Sequence, residues 1–198
     1  MLEALLTSVV VVALAEVGDK TQLLALMLTL RFQRPLAIIA GMFAATLANH
    51  AGAAWLGEEA TQFVEGPAAR LIVAASFVAI GLWALKPDRL HEDQAPKAAR
   101  EYGAFLSTLV GFFLVEMGDK TQLATMVLAA HYRTLAAVIA GTTAGMLLAN
   151  VPVVLAGQAV LRFLPLRAVR IAAAILFVAM GVLALMGVGV SEIEASPG

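Results

Sequence analysis

The sequence predicts an all-α integral membrane protein in which six transmembrane helices form two three-helix repeats of inverted topology. Three observations predict this fold: an apolar composition, six long apolar runs and an internal duplication. Of the 198 residues, 61% are apolar and 14% are charged, whereas a soluble domain carries roughly 45–50% apolar and about 25% charged residues. So little charge cannot cover a globule in water, and the chain is therefore expected in a lipid bilayer.

Six apolar runs have the length of membrane-crossing helices. Most of them approach the roughly 20 residues that a helix needs to span a bilayer, and none alternates apolar and polar residues like a strand of a membrane barrel. The segment Ala13-Leu14-Ala15 resembles a signal-peptidase site, but the residues that follow it recur in mid-chain, so we expect no cleavage there. The runs lie at 5–30, 36–55, 69–85, 103–129, 135–156 and 168–187.

The two halves of the chain are copies of each other. The string E-V-G-D-K-T-Q-L at 16–23 recurs as E-M-G-D-K-T-Q-L at 116–123, an offset of 100 residues. Each copy holds three spans, and an odd number makes the second copy enter the membrane from the opposite side, as in many secondary transporters. The predicted organisation is a first repeat at 1–85, a linker at 86–101, a second repeat at 102–190 and a tail at 191–198.

Basic residues predict the orientation. The joints after spans one, three and five carry most of the Lys and Arg, whereas the opposite side carries only Arg70 and Arg133. By the positive-inside rule, the linker is cytoplasmic and both termini lie outside. The cytoplasmic set is Arg31, Arg34, Lys86, Arg89, Lys97, Arg100, Arg162, Arg167 and Arg170.

Composition also excludes several classes of protein. The chain has no Cys, which excludes disulfide scaffolds, thiolate metal sites and cysteine nucleophiles. Its 13 basic and 14 acidic residues nearly cancel, which argues against nucleic-acid binding driven by bulk charge. The expected partners are the lipid bilayer and small ions.

Six charged residues lie near the middle of spans one and four. A central Asp, Lys or Arg costs roughly 2.5–3.5 kcal/mol on insertion scales, so these groups must face one another or a wet cavity. Intramembrane acids mark ion or proton sites by default. The six residues are Glu16, Asp19, Lys20, Glu116, Asp119 and Lys120.

Helical spacing predicts how these groups meet. In a continuous helix, Glu16 shares a face with Asp19 and Lys20, and Gly18 permits either close backbone approach or local unwinding. Asparagines on the adjoining spans add amide oxygens, with Thr46 and Thr142 nearby. The predicted cation ligands are Glu16, Asp19, Gln22, Asn49, Glu116, Asp119, Gln122 and Asn150, with Gly18 and Gly118 shaping the backbone.

The chemistry of such a cage favours ion exchange. Oxygen ligands suit hard divalent cations such as Ca²⁺, Mn²⁺ or Mg²⁺, and carboxylates in a low dielectric also take up protons. Structural ion pairs from Glu16 to Lys20 and from Glu116 to Lys120 are the alternative, but two acids per Lys leave excess negative charge. A site for a transported cation or proton is therefore favoured, with no cofactor.

Several alternatives stay open at this point. The two Gly-Asp pairs partly resemble those of intramembrane aspartyl proteases, so an intramembrane hydrolase is a second hypothesis. A passive cation channel is a third, and the sequence also leaves a homodimer open. The histidines His50, His91 and His131 fall at span ends or in the linker, and we predict them to be interfacial or solvated rather than metal ligands.

Two E-x-G-D-K-T strings in a six-span chain closely resemble a known family, the Golgi, thylakoid and bacterial Mn²⁺/Ca²⁺ cation–proton exchangers. The resemblance covers essentially the whole chain. It implies a transporter rather than an enzyme, with Glu16, Asp19, Glu116 and Asp119 as ion-binding acids. It also implies supporting roles for Lys20, Thr21, Lys120 and Thr121. The short linker favours a bacterial inner-membrane protein, and the bacterial relatives resemble manganese exporters.

Overall fold

The structure is a computed structural model that describes residues 1–63, 66–87, 103–157, 159 and 165–188. Most of the linker and the C-terminal tail, with His91, therefore lie outside the described residues. Within those ranges the chain is helical and has no strand. Eight helices are defined: α1 Leu2–Glu16, α2 Lys20–Phe32, α3 Pro35–Ala60, α4 Gly66–Ala84, α5 Ala104–Glu116, α6 Lys120–Tyr132, α7 Leu135–Ala156 and α8 Leu166–Leu185.

Four of these helices, α3, α4, α7 and α8, are long and apolar enough to cross a membrane. The remaining two predicted spans are interrupted. The run predicted at 5–30 is divided between α1 and α2, and the run at 103–129 is divided between α5 and α6. The prediction of a continuous helix through each charged string is therefore wrong, because three residues at 17–19 and 117–119 leave the helical conformation.

Helices from the two halves pack against each other. The main contacts of α1 are with α7, those of α5 are with α3, and α4 packs along α8. At two of these crossings a glycine lets the backbones meet: a Cβ at Gly41 would lie 2.5 Å from the Phe105 carbonyl oxygen, and one at Gly141 would lie 2.5 Å from the Leu5 carbonyl oxygen. Because the two distances are equal, α3 packs on α5 as closely as α7 packs on α1.

Candidate cation site at the two helix breaks

A glycine with positive φ forms each break. Gly18 has a φ of +80° and Gly118 a φ of +76°, a conformation that costs an L-residue with a side chain roughly 1–2 kcal/mol. The freed Gly18 N–H donates to Gln22 Oε1 at 2.8 Å, and the Gly118 N–H donates to Gln122 Oε1 at 2.7 Å. The sequence predicted either close backbone approach or local unwinding at Gly18, and the structure shows local unwinding.

An aspartate begins each second half-helix. Asp19 is the N-cap of α2, where its Oδ2 accepts a hydrogen bond from the Thr21 N–H at 3.3 Å. Asp119 is the N-cap of α6, and its Oδ2 accepts from the Thr121 hydroxyl at 3.4 Å. The positive ends of two helix dipoles therefore point to the level of the breaks and favour negative charge there.

Three carboxylates converge between the breaks. One oxygen from each of Glu16, Asp19 and Asp119 lies within 4.8 Å of the other two, and all three residues are buried. The Thr21 hydroxyl donates to Glu16 Oε2 at 2.5 Å. Glu16 Oε1 is buried and has no hydrogen-bond partner in the described part of the chain. An acceptor-only oxygen in that position is suited to a cation or a proton.

The fourth acid, Glu116, lies outside this group of three. Its Oε1 accepts from the Thr46 hydroxyl of α3 at 3.1 Å. Its Oε2 is buried and has no hydrogen-bond partner among the described residues, and it lies 3.9 Å from His50 Nε2. The two glutamates therefore occupy different surroundings, although the sequence around them is nearly identical.

The lysines form ion pairs across the repeats. Lys20 Nζ lies 2.8 Å from Asp119 Oδ1, and Lys120 pairs with Asp19. The pairs within each repeat that the sequence left as an alternative, from Glu16 to Lys20 and from Glu116 to Lys120, are not among the ion pairs of the described residues. Each lysine instead neutralises the aspartate that caps the other half-helix.

The amide side chains hold the breaks in place. Besides capping Gly18, Gln22 donates from Nε2 to the Ala149 carbonyl oxygen at 2.8 Å. Gln122 donates to Asn49 Oδ1 at 3.4 Å, and Asn49 donates in turn to the Phe113 carbonyl oxygen at 3.0 Å. The amide oxygens of Gln22, Gln122 and Asn49 are therefore engaged with protein donors in this structure.

Asn150 differs from the other amides. Its Nδ2 donates to the Met146 carbonyl oxygen at 3.1 Å and lies 3.5 Å from Glu16 Oε2. Its Oδ1 is buried and has no hydrogen-bond partner within the described ranges. Asn150 is therefore the predicted amide ligand whose oxygen remains available beside Glu16.

The two described histidines are buried, so the prediction of interfacial or solvated rings is wrong for them. His50 is 0% exposed and lies against Glu116. His131 is 3% exposed and packs edge-on against the rings of Phe77 and Tyr132. Proximity to a span end in the sequence did not indicate exposure, because both rings face neighbouring helices.

The sequence comparisons match both halves of this arrangement. The model of a family described as "Divalent cation/proton antiporter GDT1" matches residues 4–92 and 104–191. The chain belongs to this family. GDT1 proteins are transporters, so this chain is a multi-pass membrane transporter of divalent cations and not an enzyme, which removes the hydrolase hypothesis.

Two relatives match the chain over most of its length. A Vibrio cholerae protein named "Putative manganese exporter" is 45% identical over 181 residues, which cover 91% of this chain and 89% of that protein. The Arabidopsis thaliana "GDT1-like protein 5" is 26% identical over 223 residues, covering 94% of this chain and 96% of that protein. No solved structure matches the chain. The resemblance stated from the two E-x-G-D-K-T strings is confirmed.

Proposed function

We propose that this GDT1 protein exports Mn²⁺, with Ca²⁺ as the alternative cargo, from the bacterial cytosol in exchange for protons. The observation that carries the proposal is the group formed by Glu16, Asp19 and Asp119, whose oxygens lie within 4.8 Å of one another in a buried position. Oxygen ligands of this kind suit Mn²⁺ and Ca²⁺. The relative named as a manganese exporter supports Mn²⁺ as the first choice.

The same oxygens can bind either ion. A buried carboxylate is costly as an uncompensated anion, so it holds a cation, a proton or a neighbouring ammonium group. Lys20 pairs with Asp119 and Lys120 with Asp19, so two ammonium groups compensate two of the carboxylates. A metal ion entering the group displaces an ammonium, and protons arriving from the opposite side displace the metal. Exchange follows because the two cargoes compete for one set of oxygens.

In the proposed topology, six spans cross the membrane in two inverted repeats. The four long helices supply four spans, and the pairs α1–α2 and α5–α6 each supply one span that is broken at mid-membrane. Half-helices whose N-termini meet at the midplane are a recurrent device for ion sites in transporters. The distribution of basic residues predicts that the ends of α2, α4 and α7 lie in the cytoplasm and that both termini lie outside.

Unequal packing of equivalent helices supports alternating access. A Cβ at Gly57 of α3 would overlap the Met126 carbonyl oxygen of α6. The equivalent pair is Gly157, just after α7, and Leu26 of α2, where the nearest atom to such a Cβ is 4.0 Å away. In the proposed topology the tight contact is on the outer side and the loose one on the cytoplasmic side. This arrangement is the one expected for a state that opens toward the cytosol.

The difference between the contacts at Gly57 and at Gly157 also indicates which helices would move. The crossings at Gly41 and Gly141 are equally close in the two repeats, so α1–α7 and α5–α3 behave as matched pairs. The difference lies where α6 and α2 meet the ends of the long helices. We therefore favour movement of the half-helices α2 and α6 about the glycine breaks over rocking of whole repeats.

Reconstituted vesicles that report Mn²⁺ and pH together test the function. The protein should move Mn²⁺ into vesicles while protons leave, and an imposed pH gradient should drive Mn²⁺ against its own gradient. Vesicles without protein provide the control. Mn²⁺ flux that follows the membrane potential without any proton flux would contradict exchange and would identify a passive channel.

A further inference from the structure

His50 occupies a position for which the second repeat has no equivalent histidine. Its counterpart is Asn150, which lies beside Glu16 as His50 lies beside Glu116, and the offset of 100 residues gives the same pair. His50 lies in α3, on the helix that packs against both α5 and α6. Its side chain is 0% exposed. A polar ring so completely buried requires a polar partner.

The surroundings of the ring lack such a partner. Neither Nδ1 nor Nε2 has a hydrogen-bond partner in the described residues, and the same holds for the facing Oε2 of Glu116. Buried side-chain polar atoms in native proteins are in large majority paired. The separation of 3.9 Å between His50 Nε2 and Glu116 Oε2 is too long for a hydrogen bond. His50 Nε2 and Glu116 Oε2 therefore face each other, and both are available to bind a cation.

The separation fits a shared cation. Nitrogen and oxygen ligands lie about 2.0–2.2 Å from a bound divalent transition metal, so two of them on one ion are separated by up to about 4 Å. Thr46 holds the other oxygen of Glu116 at 3.1 Å and thereby fixes the direction of Oε2. The side chain of Glu116 is therefore oriented toward the ring rather than free to rotate away.

This pair differs chemically from the group of three carboxylates. Glu16, Asp19 and Asp119 offer only oxygen, which Mg²⁺, Ca²⁺ and Mn²⁺ all accept. An imidazole nitrogen favours transition metals over hard alkaline-earth ions, and Mn²⁺ is the one of these three cations that is a transition metal. A single nitrogen ligand on the path of the ion would therefore select Mn²⁺.

We infer that His50 and Glu116 form a second metal-binding station, with one nitrogen and one oxygen ligand, that selects Mn²⁺ over Ca²⁺ and Mg²⁺. The inference rests on the proposed function, since it concerns the ion that the carboxylate group transports. The nitrogen ligand is present on one side of the pseudo-two-fold relation only, since Asn150 holds the equivalent position beside Glu16. It therefore gives an otherwise duplicated transporter an asymmetric filter.

Spectroscopy of bound Mn²⁺ tests this directly. Electron spin-echo envelope modulation detects the ¹⁴N nucleus of a coordinated imidazole. The wild-type protein loaded with Mn²⁺ should show this coupling, and His50→Gln, which replaces nitrogen by an amide oxygen, should lose it. His131→Gln is the matched control, because His131 is also buried but packs against aromatic rings. It should keep the coupling.

Transport selectivity supplies the second readout. In vesicles, His50→Gln should lower the ratio of Mn²⁺ to Ca²⁺ uptake about tenfold, equivalent to about 1.4 kcal/mol, and should let Mg²⁺ compete with Mn²⁺. His131→Gln should keep the wild-type ratio.

The wild-type spectrum tests whether a histidine nitrogen binds Mn²⁺ even if His50→Gln does not fold. Absence of imidazole coupling in a wild-type protein that still exchanges Mn²⁺ for protons would overturn the station and leave the proposed function intact. Absence of any divalent cation–proton exchange by the wild type would instead overturn the proposed function.

Discussion

In the proposed exchange, the ion pairs that cross between the repeats make the lysines competitors of the transported cation. Lys20 lies 2.8 Å from Asp119, and Lys120 pairs with Asp19. Removing one partner of a buried pair leaves an uncompensated charge, which typically destabilises a protein by about 3–5 kcal/mol. A bound cation would provide the missing compensation. In the proposed exchange, the lysines therefore stabilise the aspartates before a metal ion binds and are displaced when it does.

Replacing Lys120 should strengthen metal binding. In Lys120→Met no ammonium competes for Asp19, and an opposite charge at this range changes the proton affinity of a carboxylate by roughly one to three powers of ten. We expect Mn²⁺ to bind about tenfold more tightly and to exchange more slowly, because protons must now displace a better-held ion. Equilibrium binding and vesicle flux measure the two effects.

The control for this change is Lys86→Met, which removes a lysine from the exposed joint after α4. It should leave both binding and flux unchanged. Weaker Mn²⁺ binding in Lys120→Met would contradict competition and would show that the lysine positions Asp19 for the metal.

At the residue scale, the sequence predicted a cage of four carboxylates but not how its members pair. Three of the four acids, Glu16, Asp19 and Asp119, converge, whereas Glu116 lies beside His50 outside that group. The pairing of Lys20 with Asp119 was missed because helical spacing was applied across Gly18, where the helix is interrupted. A glycine followed by Asp is a signature of a helix start, and inside an apolar run it indicates a break.

At the scale of helices, the half-helices α2 and α6 have the same length and occupy different environments. Both run for 13 residues from an aspartate N-cap. A Cβ at Gly57 would overlap the Met126 carbonyl oxygen of α6, whereas a Cβ at Gly157 would lie 4.0 Å from Leu26 of α2. Two packings of one duplicated unit within a single chain are what the proposed alternating access would use.

Gly57→Ala should prevent the tight packing. The added Cβ would overlap the Met126 carbonyl oxygen, and overpacking of this kind costs about 1–3 kcal/mol. Since 1.4 kcal/mol is a factor of ten, the population of the state described here should fall about tenfold or more. Spin labels at Trp55→Cys and Leu123→Cys, both exposed positions, should then report a longer distance, and Mn²⁺ flux should fall.

The matched control is Gly52→Ala in the same helix, where an added Cβ meets nothing within 4 Å. It should behave like the wild type in both measurements. Since the native chain has no Cys, each label pair is introduced without further changes. An unchanged label distance in Gly57→Ala would exclude this contact as part of the conformational change.

Element boundaries were predictable where the apolar run and the helix coincide. The run predicted at 135–156 matches α7. The run ending at Trp55 was too short, because α3 continues through Glu58 and Glu59 to Ala60. Hydropathy marks the part of a helix that lies in hydrocarbon, whereas the helix itself ends only where its backbone hydrogen bonds end. The polar turn beyond Trp55 was therefore counted as a joint.

At the scale of the whole molecule, the orientation of the proposed six spans determines which side the site faces. Gln62, at the outer joint after α3, and Pro87, at the cytoplasmic joint after α4, are described positions near opposite ends of α4. With Gln62→Cys, a membrane-impermeant maleimide should label right-side-out vesicles. With Pro87→Cys, labelling should appear only after the vesicles are opened.

The reverse labelling pattern would invert the predicted topology, and with it the assignment of the tight contact to the outer side. Labelling of both positions from outside would contradict α4 as a membrane span. The wild-type protein, which has no Cys, should stay unlabelled under both conditions.

Binding of Mn²⁺ to the purified protein tests the central claim, the cation site at the helix breaks, most directly. Free Mn²⁺ gives a six-line electron paramagnetic resonance signal that is lost on binding, so a titration counts the bound ions. The wild type and Glu59→Gln, a change outside the breaks, should show the same saturable site. Glu16→Gln and Asp119→Asn, once their thermal unfolding transitions show that they are folded, should lose this Mn²⁺ site. Unchanged Mn²⁺ binding in both variants would contradict a cation site at the helix breaks.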